Sequence, residues 1–417
     1  MRVGFLVERI GYYRLFGPLI DEALRQGAQV FALHRDFEAD KHGGKAYEYA
    51  DPAKVPSFRF GRPVVLQWGS DDELFEICTG NKINVVVSQW VYPHVFEVCK
   101  QLRRSGVRWV SLQHSWEFLA VPFENFMLPD VTCMFSQYWV DMATRFFKAD
   151  IPGYLRPGQM PQQLMSERTA ITGFPELDQF HLVDRSAIRQ KYGVPEGMPV
   201  VVLISYTLHS HNRWERLVFR QNSRWQALAR VIRHGALKYL ASVWRGTMYS
   251  RLLRAIKAFC DRNGAFLISK SRIKDRPPAV ERELADYHAY DAAYYPHTIV
   301  ELLSIADLCI HFFSTTALEA ALAGAASLCL VPPMQYSQHY SVTANTLKYD
   351  VPGHLFNFDG VSYQMSVEEA IQALRDKSLD DFRLAPKSRR AFVEKFLGFD
   401  DYQSSSRVWK VIQQLSG

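Results

Sequence analysis

The sequence predicts an α/β protein of two lobes, each built on a parallel sheet. Short apolar runs alternate with helical patterns along the chain, which is the order of βαβ units. This alternation occurs as two series, and a Pro- and Gly-rich stretch at 151–163 separates them. The length of 417 residues exceeds one ordinary core and suits two domains. We therefore expect two Rossmann-like lobes with a cleft between them.

The first series begins with an apolar run at 2–7. Gly11 and Gly17 mark the turn that follows, where the backbone would be open to close approach by an acceptor, and a helical pattern covers 18–26. Short β-branched or aromatic runs predict further strands at 29–33, 63–67, 84–88, 108–112 and 131–135. Helical patterns lie among them at 91–105 and 138–147. The run Val85-Val86-Val87 is continuously apolar, as expected of a strand buried on both faces.

The second series begins at Pro199, after a short strand at 168–172 and a helix at 184–192 that Asp184 would cap. Strands are expected at 200–205, 265–269, 308–312, 326–331 and 354–358. Helices are expected at 248–263, 298–306, 315–323, 366–376 and 400–415. We therefore predict an N-terminal Rossmann-like lobe at 1–175 and a C-terminal Rossmann-like lobe at 176–399, with a basic helical insertion at about 210–257. A final helix at 400–417 would pack back on the N-terminal lobe.

Composition excludes several classes of protein. A hydrophobic share of 48% and a charged share of 22% exclude a mainly disordered chain. The first apolar run is interrupted by Glu8 and Arg9, so no secretory signal is expected, and the apolar stretch 317–334 contains Glu319 and reads as a buried helix and strand. The six cysteines form no CxxC pair, which favours buried reduced thiols over a zinc site. These features predict a cytoplasmic protein.

The sharpest motif is ADLCIHFFSTTALEAALAG, which starts at Ala306. A buried strand leads directly into Ser314, Thr315 and Thr316, and these residues open a helix. The first turn of a helix offers free N–H groups to an anion, and carboxyl ends of parallel strands are where α/β sheets place ligands. Glu319 lies on an apolar helix and needs a polar partner, such as a ribose diol. The alternative is that Ser314 only caps the helix and Glu319 forms a salt bridge.

Other residues of this lobe have two open interpretations. Lys270 and Arg272 follow a strand and would hold a phosphate, or they lie in a solvated loop. His297, in the turn YYPHT, would contact a nucleobase or a phosphate, or it lies at the surface. Ser205 and Thr207 follow the first strand of the lobe, where they would meet a diphosphate or form a hydroxyl-rich turn.

In the first lobe the segment RWVSLQHSWE carries the candidate base. His114 follows the strand and can take a proton from a hydroxyl, because the pKa of histidine lies close to operating pH. Glu117 would orient it, and Glu8, at the end of the first strand, is a second candidate base. A structural histidine at a strand end is the alternative. No GxGxxG follows the first strand, which argues against a nicotinamide dehydrogenase, and Walker A, GxSxG, HExxH and DxD motifs are missing from the sequence.

Three segments resemble the GT-B glycosyltransferases, and most closely the branch of CDP-glycerol glycerophosphotransferases and bacterial surface-polysaccharide transferases. ITGFPELDQF, from Ile171, resembles the hinge segment Thr-Gly-x-Pro-x-x-Asp of that branch. LQHSWE resembles its Gln-His-Gly segment, with Ser115 in place of glycine. YPHTIVELLSIADLCIHFFSTTALEAALAG resembles its donor-site signature. The usual His-Pro pair of the donor lobe is missing, and Ser271 and Arg272 occupy that region.

The resemblance implies inverting transfer of a sugar from a nucleotide-activated donor to a glycan or lipid-linked acceptor, as in surface-polysaccharide assembly. It implies no metal and no cofactor, since the nucleotide sugar, or a nucleotide-activated polyol, is a co-substrate. In that reaction the N-terminal lobe would bind the acceptor and the C-terminal lobe the nucleotide donor. His114 would act as the base, the hydroxyl cluster from Ser314 to Thr316 would hold phosphates, and Glu319 would bind the ribose.

Two other functions stay open. A nucleotide-sugar 2-epimerase shares the fold, but it needs several acidic residues at the sugar and the sequence shows no such cluster. The segment from Arg213 to Lys257 holds eleven Lys or Arg, one acid and several aromatic residues, although the whole chain carries a net charge of only +6. Such a segment suits single-stranded nucleic acid or an anionic lipid surface. We favour the lipid surface, which would make the enzyme peripheral at the inner membrane face.

Overall fold

The structure is a computed structural model that describes residues 1–36, 49–116, 122–205, 248–272, 279–291, 293–331 and 352–416. The chain divides into two compact units. The first comprises Met1–Leu182, Ala293–Thr298 and Val393–Gly417, and the second comprises Val183–Ala292 and Ile299–Phe392. Each unit contains one sheet flanked by helices, so the predicted α/β class with two Rossmann-like lobes is confirmed.

The first unit is built on a sheet of seven parallel strands among the described residues, in the order β3-β2-β1-β4-β5-β6-β7. The strands are β1 (Arg2–Val7), β2 (Gln29–Arg35), β3 (Val64–Trp68), β4 (Val85–Gln89), β5 (Arg108–Leu112), β6 (Val131–Met134) and β7 (Thr169–Ile171). The helices between them are α1 (Tyr13–Arg25), α2 (Asp71–Gly80), α3 (Phe96–Arg104), α4 (Glu124–Met127), α5 (Gln137–Phe146) and α6 (Pro161–Arg168). Every residue of β4 is buried, as its continuously apolar start predicts.

The second unit contains six parallel strands among the described residues, in the order β10-β9-β8-β11-β12-β13. The strands are β8 (Val200–Ile204), β9 (Phe266–Arg272), β10 (Tyr287–Asp291), β11 (Leu308–His311), β12 (Ala326–Val331) and β13 (Ser362–Ser366). The helices that follow α6 are α7 (Arg185–Lys191), α8 (Met248–Arg262), α9 (Ala279–Leu284), α10 (Thr298–Ser304), α11 (Thr316–Ala323), α12 (Val367–Asp376), α13 (Pro386–Phe396) and α14 (Ser404–Ser416). Asp184 caps α7 as predicted, because its carboxylate accepts the N–H groups of Ser186 and Ala187.

The C-terminal helix α14 belongs to the first unit, where it packs on α1. Asp178 holds its N-terminus, since the carboxylate accepts the N–H groups of Ser404 at 3.0 Å and Ser405 at 2.6 Å. Free N–H groups in a first helical turn favour a negative partner. The aspartate of the ITGFPELDQF segment therefore acts as the cap of the last helix.

Several sequence expectations differ from the structure. Gly17, expected in the turn before a helix at 18–26, lies inside α1. No strand covers 354–358; that stretch forms only single bridges, such as His354 with Asn357, and the sheet ends with β13 instead. Its apolar residues Leu355 and Phe356 are buried, but they lie in a loop and not in a strand of the sheet. The edge strand β10 was not expected, because YHAYD has no apolar run. The stretch 151–163 is not a plain loop, since Pro161 starts α6 in the position that tolerates proline.

All six cysteines are buried and free of disulfide bonds. None of the described helices is long and apolar enough to span a membrane.

Candidate functional site

Each sheet has one point at which the strand order reverses, and open α/β sheets bind ligands outside the carboxyl ends of the strands at that point. In the first unit it lies between β1 and β4, and in the second between β8 and β11. Glu8 follows β1 and Ser205 follows β8. Several of the residues that the sequence singled out therefore lie at these two switch points, each within its own unit.

An aromatic residue in the left-handed backbone region marks both switch points. Trp90 follows β4 directly with a φ of 31°, and Phe313 lies just after β11 with a φ of 39°. Bulky residues rarely adopt this conformation, which costs of order 1–3 kcal/mol and is concentrated at functional sites. The Trp90 N–H is fixed by Leu112 O at 3.2 Å, and the next N–H, of Val91, by Asn125 Oδ1 at 2.6 Å. The strain therefore supports a ligand site at the end of each strand.

In the second unit Ser314 organises the start of α11. Its hydroxyl accepts the Thr316 N–H at 3.2 Å and lies 2.7 Å from the Thr316 hydroxyl, while its own N–H meets His311 Nδ1 at 3.4 Å. Thr315 makes no side-chain cap hydrogen bond and is partly exposed. The predicted hydroxyl cluster is thus present at the carboxyl end of β11, with Ser314 as a cap.

A buried acid and a neutral histidine lie behind this cluster. Glu319 is 2% exposed, and burial together with the charge of Glu319 raises the pKa of the Cys309 thiol well above its usual value. Burial lowers the pKa of His311 to about 3, so its imidazole is neutral at working pH. His311 ends β11 and was not singled out by the sequence analysis, because it lies inside an apolar run.

Ser205 is part of a hydrogen-bonded network around Glu281, which is 1% exposed. The hydroxyls of Ser205, Ser269 and Ser271 all bond Glu281 Oε1, the last two at 2.5 and 3.2 Å. The Tyr249 hydroxyl donates to Oε2 at 2.7 Å. A buried carboxylate needs hydrogen-bond donors to compensate for its loss of water. The hydroxyl expected to meet a diphosphate is therefore bonded within the protein, and Glu281 was missed because its partners come from distant segments.

Lys270 is buried, and its ammonium forms polar contacts with Ser271 and Asp291. Its ammonium donates to the carbonyls of Ser271 at 3.1 Å and Asp291 at 3.3 Å, and lies 3.4 Å from Asp291 Oδ1. The solvated-loop interpretation is therefore wrong for Lys270. Arg272 lies in β9, with its backbone in register with Asp291.

Some candidates lie outside the described residues. These are Thr207, Glu117, the side chain of Arg272 and most of the basic segment from Arg213 to Lys257. Within the described end of that segment, Lys257 is paired with Asp286 at 2.7 Å and Asp261 at 3.1 Å. An anionic surface as the partner of this segment stays a prediction.

In the first unit Glu8 forms an ion-paired cluster at the end of β1. Glu8 Oε1 is hydrogen-bonded to His94 Nε2 and lies 3.5 Å from Arg35 Nη1. The Glu8 side chain is 6% exposed, whereas that of His94 is 38% exposed. His94 lies in the turn Pro93–Val95 between β4 and α3. The sequence analysis missed it, because no local pattern links positions 8 and 94.

His114 follows β5, and its ring contacts Trp90 edge-on with centroids 6.2 Å apart. Its Nδ1 is buried, and no described residue forms a hydrogen bond with it. Burial, followed by the charges of Arg14 and Arg9, lowers the pKa of His114 to about 3. The imidazole is therefore neutral at working pH and binds a proton weakly.

His297 lies in the first unit, and it is 8% exposed rather than at the surface. Its Nδ1 is 3.4 Å from Glu176 Oε1, and Arg14 Nε is 3.3 Å from Glu176 Oε2. The backbone N–H of His297 donates to Gln179 Oε1 at 2.9 Å. The contact of His297 with Glu176 and its backbone hydrogen bond to Gln179 therefore join the turn at 293–298 to the ITGFPELDQF segment.

The same turn covers the two glycines after β1. A Cβ on Gly11 would lie 3.4 Å from the Tyr294 ring, and one on Gly17 would lie 2.3 Å from the Tyr295 ring. Tyr295 also donates to Asp21, which accepts the Arg59 N–H at 2.7 Å. The space above Gly17, which the sequence left for an acceptor, is therefore filled by Tyr295.

Several solved structures resemble this chain over nearly its whole length. UDP-GlcNAc 2-epimerase from Neisseria meningitidis, bound to UDP-GlcNAc, has a TM-score of 0.55 at 11% identity and covers 99% of this chain and 100% of its own. The wall teichoic acid polymerase TagF has a TM-score of 0.56 at 10% identity, covering 100% of this chain and 89% of its own. MnaA from S. aureus, in complex with UDP, has a TM-score of 0.52 at 12% identity, covering 99% and 96%.

The chain has the GT-B fold. This confirms the fold that the sequence resemblance implied. No protein-family model matches the sequence, and the search of curated proteins finds no match. In the part of the chain that the structure describes, no three His, Cys, Asp or Glu side chains converge as a metal site.

Proposed function

We propose that this protein is a glycosyltransferase that moves a sugar from a nucleotide-activated donor to a glycan or lipid-linked acceptor, with inversion and without a metal. The observation that carries the proposal is the start of α11. Three consecutive hydroxyl residues, from Ser314 to Thr316, lie at the carboxyl end of β11 on the switch point of the second sheet. Glu319 is buried one turn further along the same helix.

This arrangement suits a nucleoside diphosphate. The first turn of α11 has the positive end of the helix dipole, and the Thr315 hydroxyl makes no cap hydrogen bond. A leaving diphosphate gains negative charge as the sugar departs, so fixed N–H and O–H donors stabilise it. Glu319 would accept hydrogen bonds from the ribose. Two of the solved structures with this fold contain UDP or UDP-GlcNAc, which supports the same class of donor.

A nucleotide-sugar 2-epimerase is the second candidate. It is favoured by the match to the N. meningitidis epimerase, which extends over 100% of that enzyme. The two reactions differ in their need for an acceptor. An epimerase converts the nucleotide sugar alone, whereas a transferase releases the nucleotide in proportion to acceptor modified. Incubation of the protein with UDP-GlcNAc alone, followed by separation of the C2 epimers, distinguishes them.

The proposal is tested by thermal unfolding with CMP, CDP, UDP, GDP and TDP. A ligand at 100 times its Kd stabilises the folded state by about 2.7 kcal/mol, which corresponds to a rise in Tm of roughly 5–10 °C for a unit of this size. We expect one nucleotide to produce such a shift and Glu319→Gln to abolish it. Glu368→Gln is the matched control, since Glu368 is exposed in the first turn of α12. The absence of a shift with every nucleotide contradicts the proposal.

A further inference from the structure

The carboxyl end of β1 carries a carboxylate–imidazole pair at the switch point of the first sheet. Glu8 lies directly after β1, and His94 lies in the turn after β4, the neighbouring strand. Their side chains meet through Glu8 Oε1 and His94 Nε2. The strained Trp90 lies in the same connection as His94. The pair therefore occupies the position where this type of sheet binds ligands.

The hydrogen bond determines which ring nitrogen is free to react. A carboxylate only accepts hydrogen bonds, so Nε2 of His94 carries the proton and donates it to Glu8. In the neutral ring Nδ1 then holds the lone pair and is the atom that takes a further proton. The ring stacks on Tyr92 with an interplanar angle of 8°, and 38% of the side chain is exposed. His94 thus has a fixed tautomer, a supported ring and access to a substrate.

His114 lacks these features. Its Nδ1 is buried without a partner among the described residues, and no carboxylate is hydrogen-bonded to it there. The positive charges of Arg14 and Arg9 add to burial in lowering its pKa to about 3. A general base works best when its pKa is near the operating pH. The neighbours of His114 therefore oppose the positive charge that a base must acquire.

We propose that His94, positioned by Glu8, takes the proton from the acceptor hydroxyl. The inference rests on the proposed glycosyltransferase function. The acceptor O–H bond breaks and its proton moves to His94 Nδ1, while the acceptor oxygen bonds to the anomeric carbon of the donor. The bond from that carbon to the phosphate oxygen breaks, and the nucleoside diphosphate leaves with the electron pair. Glu8 stabilises the imidazolium that forms.

Four described groups face His94. Glu8 comes from β1 and bonds the ring, and Arg35 at the end of β2 lies 3.5 Å from the same Glu8 oxygen. Asp71 starts α2; burial raises its pKa, and the nearby charge of His94 partly offsets that rise. Tyr92 covers one face of the ring. Removing the Glu8 charge leaves Asp71 as the remaining acid facing His94 among the described residues.

The first test compares turnover of three histidine variants once a donor has been identified. We expect His94→Gln to lower kcat by 100-fold or more, because general base catalysis contributes about 10²–10⁴-fold. His94→Gln should keep the nucleotide-induced shift in Tm. His181→Gln is the control, since His181 is exposed in the same unit, and its rate should stay within twofold. His114→Gln should keep more activity than His94→Gln.

The second test separates positioning from a structural role. With Glu8→Gln the acidic limb of the kcat/KM profile should move to lower pH, because the imidazolium loses its carboxylate partner. A purely structural effect would lower the rate equally at every pH. Imidazole ¹⁵N spectra of the intact protein should show His94 protonated at Nε2 in the neutral ring.

Each outcome has a distinct meaning. If His94→Gln turns over within threefold of the wild type with nucleotide binding intact, the inference is overturned and the proposed function stands. An Nδ1–H tautomer at His94, or an unshifted pH profile in Glu8→Gln, overturns the role of the pair. If no nucleotide stabilises the wild type, both the proposed function and this inference fail.

Discussion

Gly17 provides a direct test of how the first unit is packed. It lies inside α1, where replacement of glycine by alanine normally stabilises a helix by about 1 kcal/mol. Here, however, the new Cβ would lie 2.3 Å from Cδ2 and 2.5 Å from Cγ of Tyr295. We predict that the steric term outweighs helix propensity, so that Gly17→Ala destabilises the protein.

The magnitude follows from what holds the Tyr295 ring. The ring must retreat by more than 1 Å to reach ordinary contact distances of 3.4–4 Å. Its hydroxyl is bonded to Asp21, and its face stacks on Phe58 with centroids 5.5 Å apart. A hydrogen bond to a charged group contributes about 1.5–3 kcal/mol, and overpacking costs about 1–3 kcal/mol. After the gain from helix propensity, the net loss should be about 3 kcal/mol.

The assay is urea unfolding of a double-mutant cycle. Gly17→Ala is measured in the wild type and in a Tyr295→Ala background, where the ring no longer blocks the Cβ. There the same change should stabilise the protein by about 1 kcal/mol, giving a coupling energy of about 4 kcal/mol. Gly80→Ala is the control, since Gly80 ends α2 with nothing within 4 Å of its added Cβ. A neutral or stabilising Gly17→Ala in the wild type would refute the reasoning.

Two further predictions concern Asp178 and His311. Asp178→Ala should lower the free energy of unfolding, measured by urea titration, by about 3 kcal/mol, because it removes two charge-assisted hydrogen bonds from the N-terminus of α14. A change below about 0.5 kcal/mol would contradict the role of Asp178 as a cap. Folded His311, with a pKa of about 3, stays neutral where the unfolded chain takes a proton, so stability should fall as pH drops from about 6.5 towards about 3. His311→Phe should flatten this slope by up to about 1.4 kcal/mol per pH unit, measured as unfolding free energy against pH, and an unchanged slope excludes that titration.

The strands could be predicted where burial dictates the sequence. Parallel strands covered on both faces need continuous apolar runs, and β1, β5 and β12 have the predicted bounds for that reason. β10 could not be predicted because an edge strand does not need a continuous apolar run. In β10, Tyr287 and Tyr290 are exposed while Ala289 is buried. The strand predicted at 354–358 is wrong because Leu355 and Phe356 are buried side chains of a loop, and their apolar character resembles that of a strand.

The candidate sites divide in the same way. The hydroxyl cluster from Ser314 to Thr316 could be predicted because its residues are contiguous at a strand–helix junction. Glu281 could not, since its serine and tyrosine partners come from the residue after β8, from β9 and from α8. The pairing of Glu8 with His94 joins residues 86 positions apart, and it exists only because β1 and β4 are adjacent in the sheet. Local sequence patterns therefore predict the residues at which helices start. Contacts between distant residues cannot be predicted in this way, because they depend on which strands are adjacent in the sheet.

The three-piece composition of the first unit has a consequence for biosynthesis. Met1–Leu182 leave the ribosome long before Ala293–Thr298 and Val393–Gly417, which complete the same unit. At about 5–20 residues per second, the stretch from residue 182 to residue 393 takes roughly 10–40 s to translate. Gly17 lacks its tyrosine cover until Tyr295 has been made, and Asp178 lacks the helix that it caps throughout the interval. The first unit can thus be completed only after most of the second unit has been translated, which departs from the usual N-terminal-first order of folding.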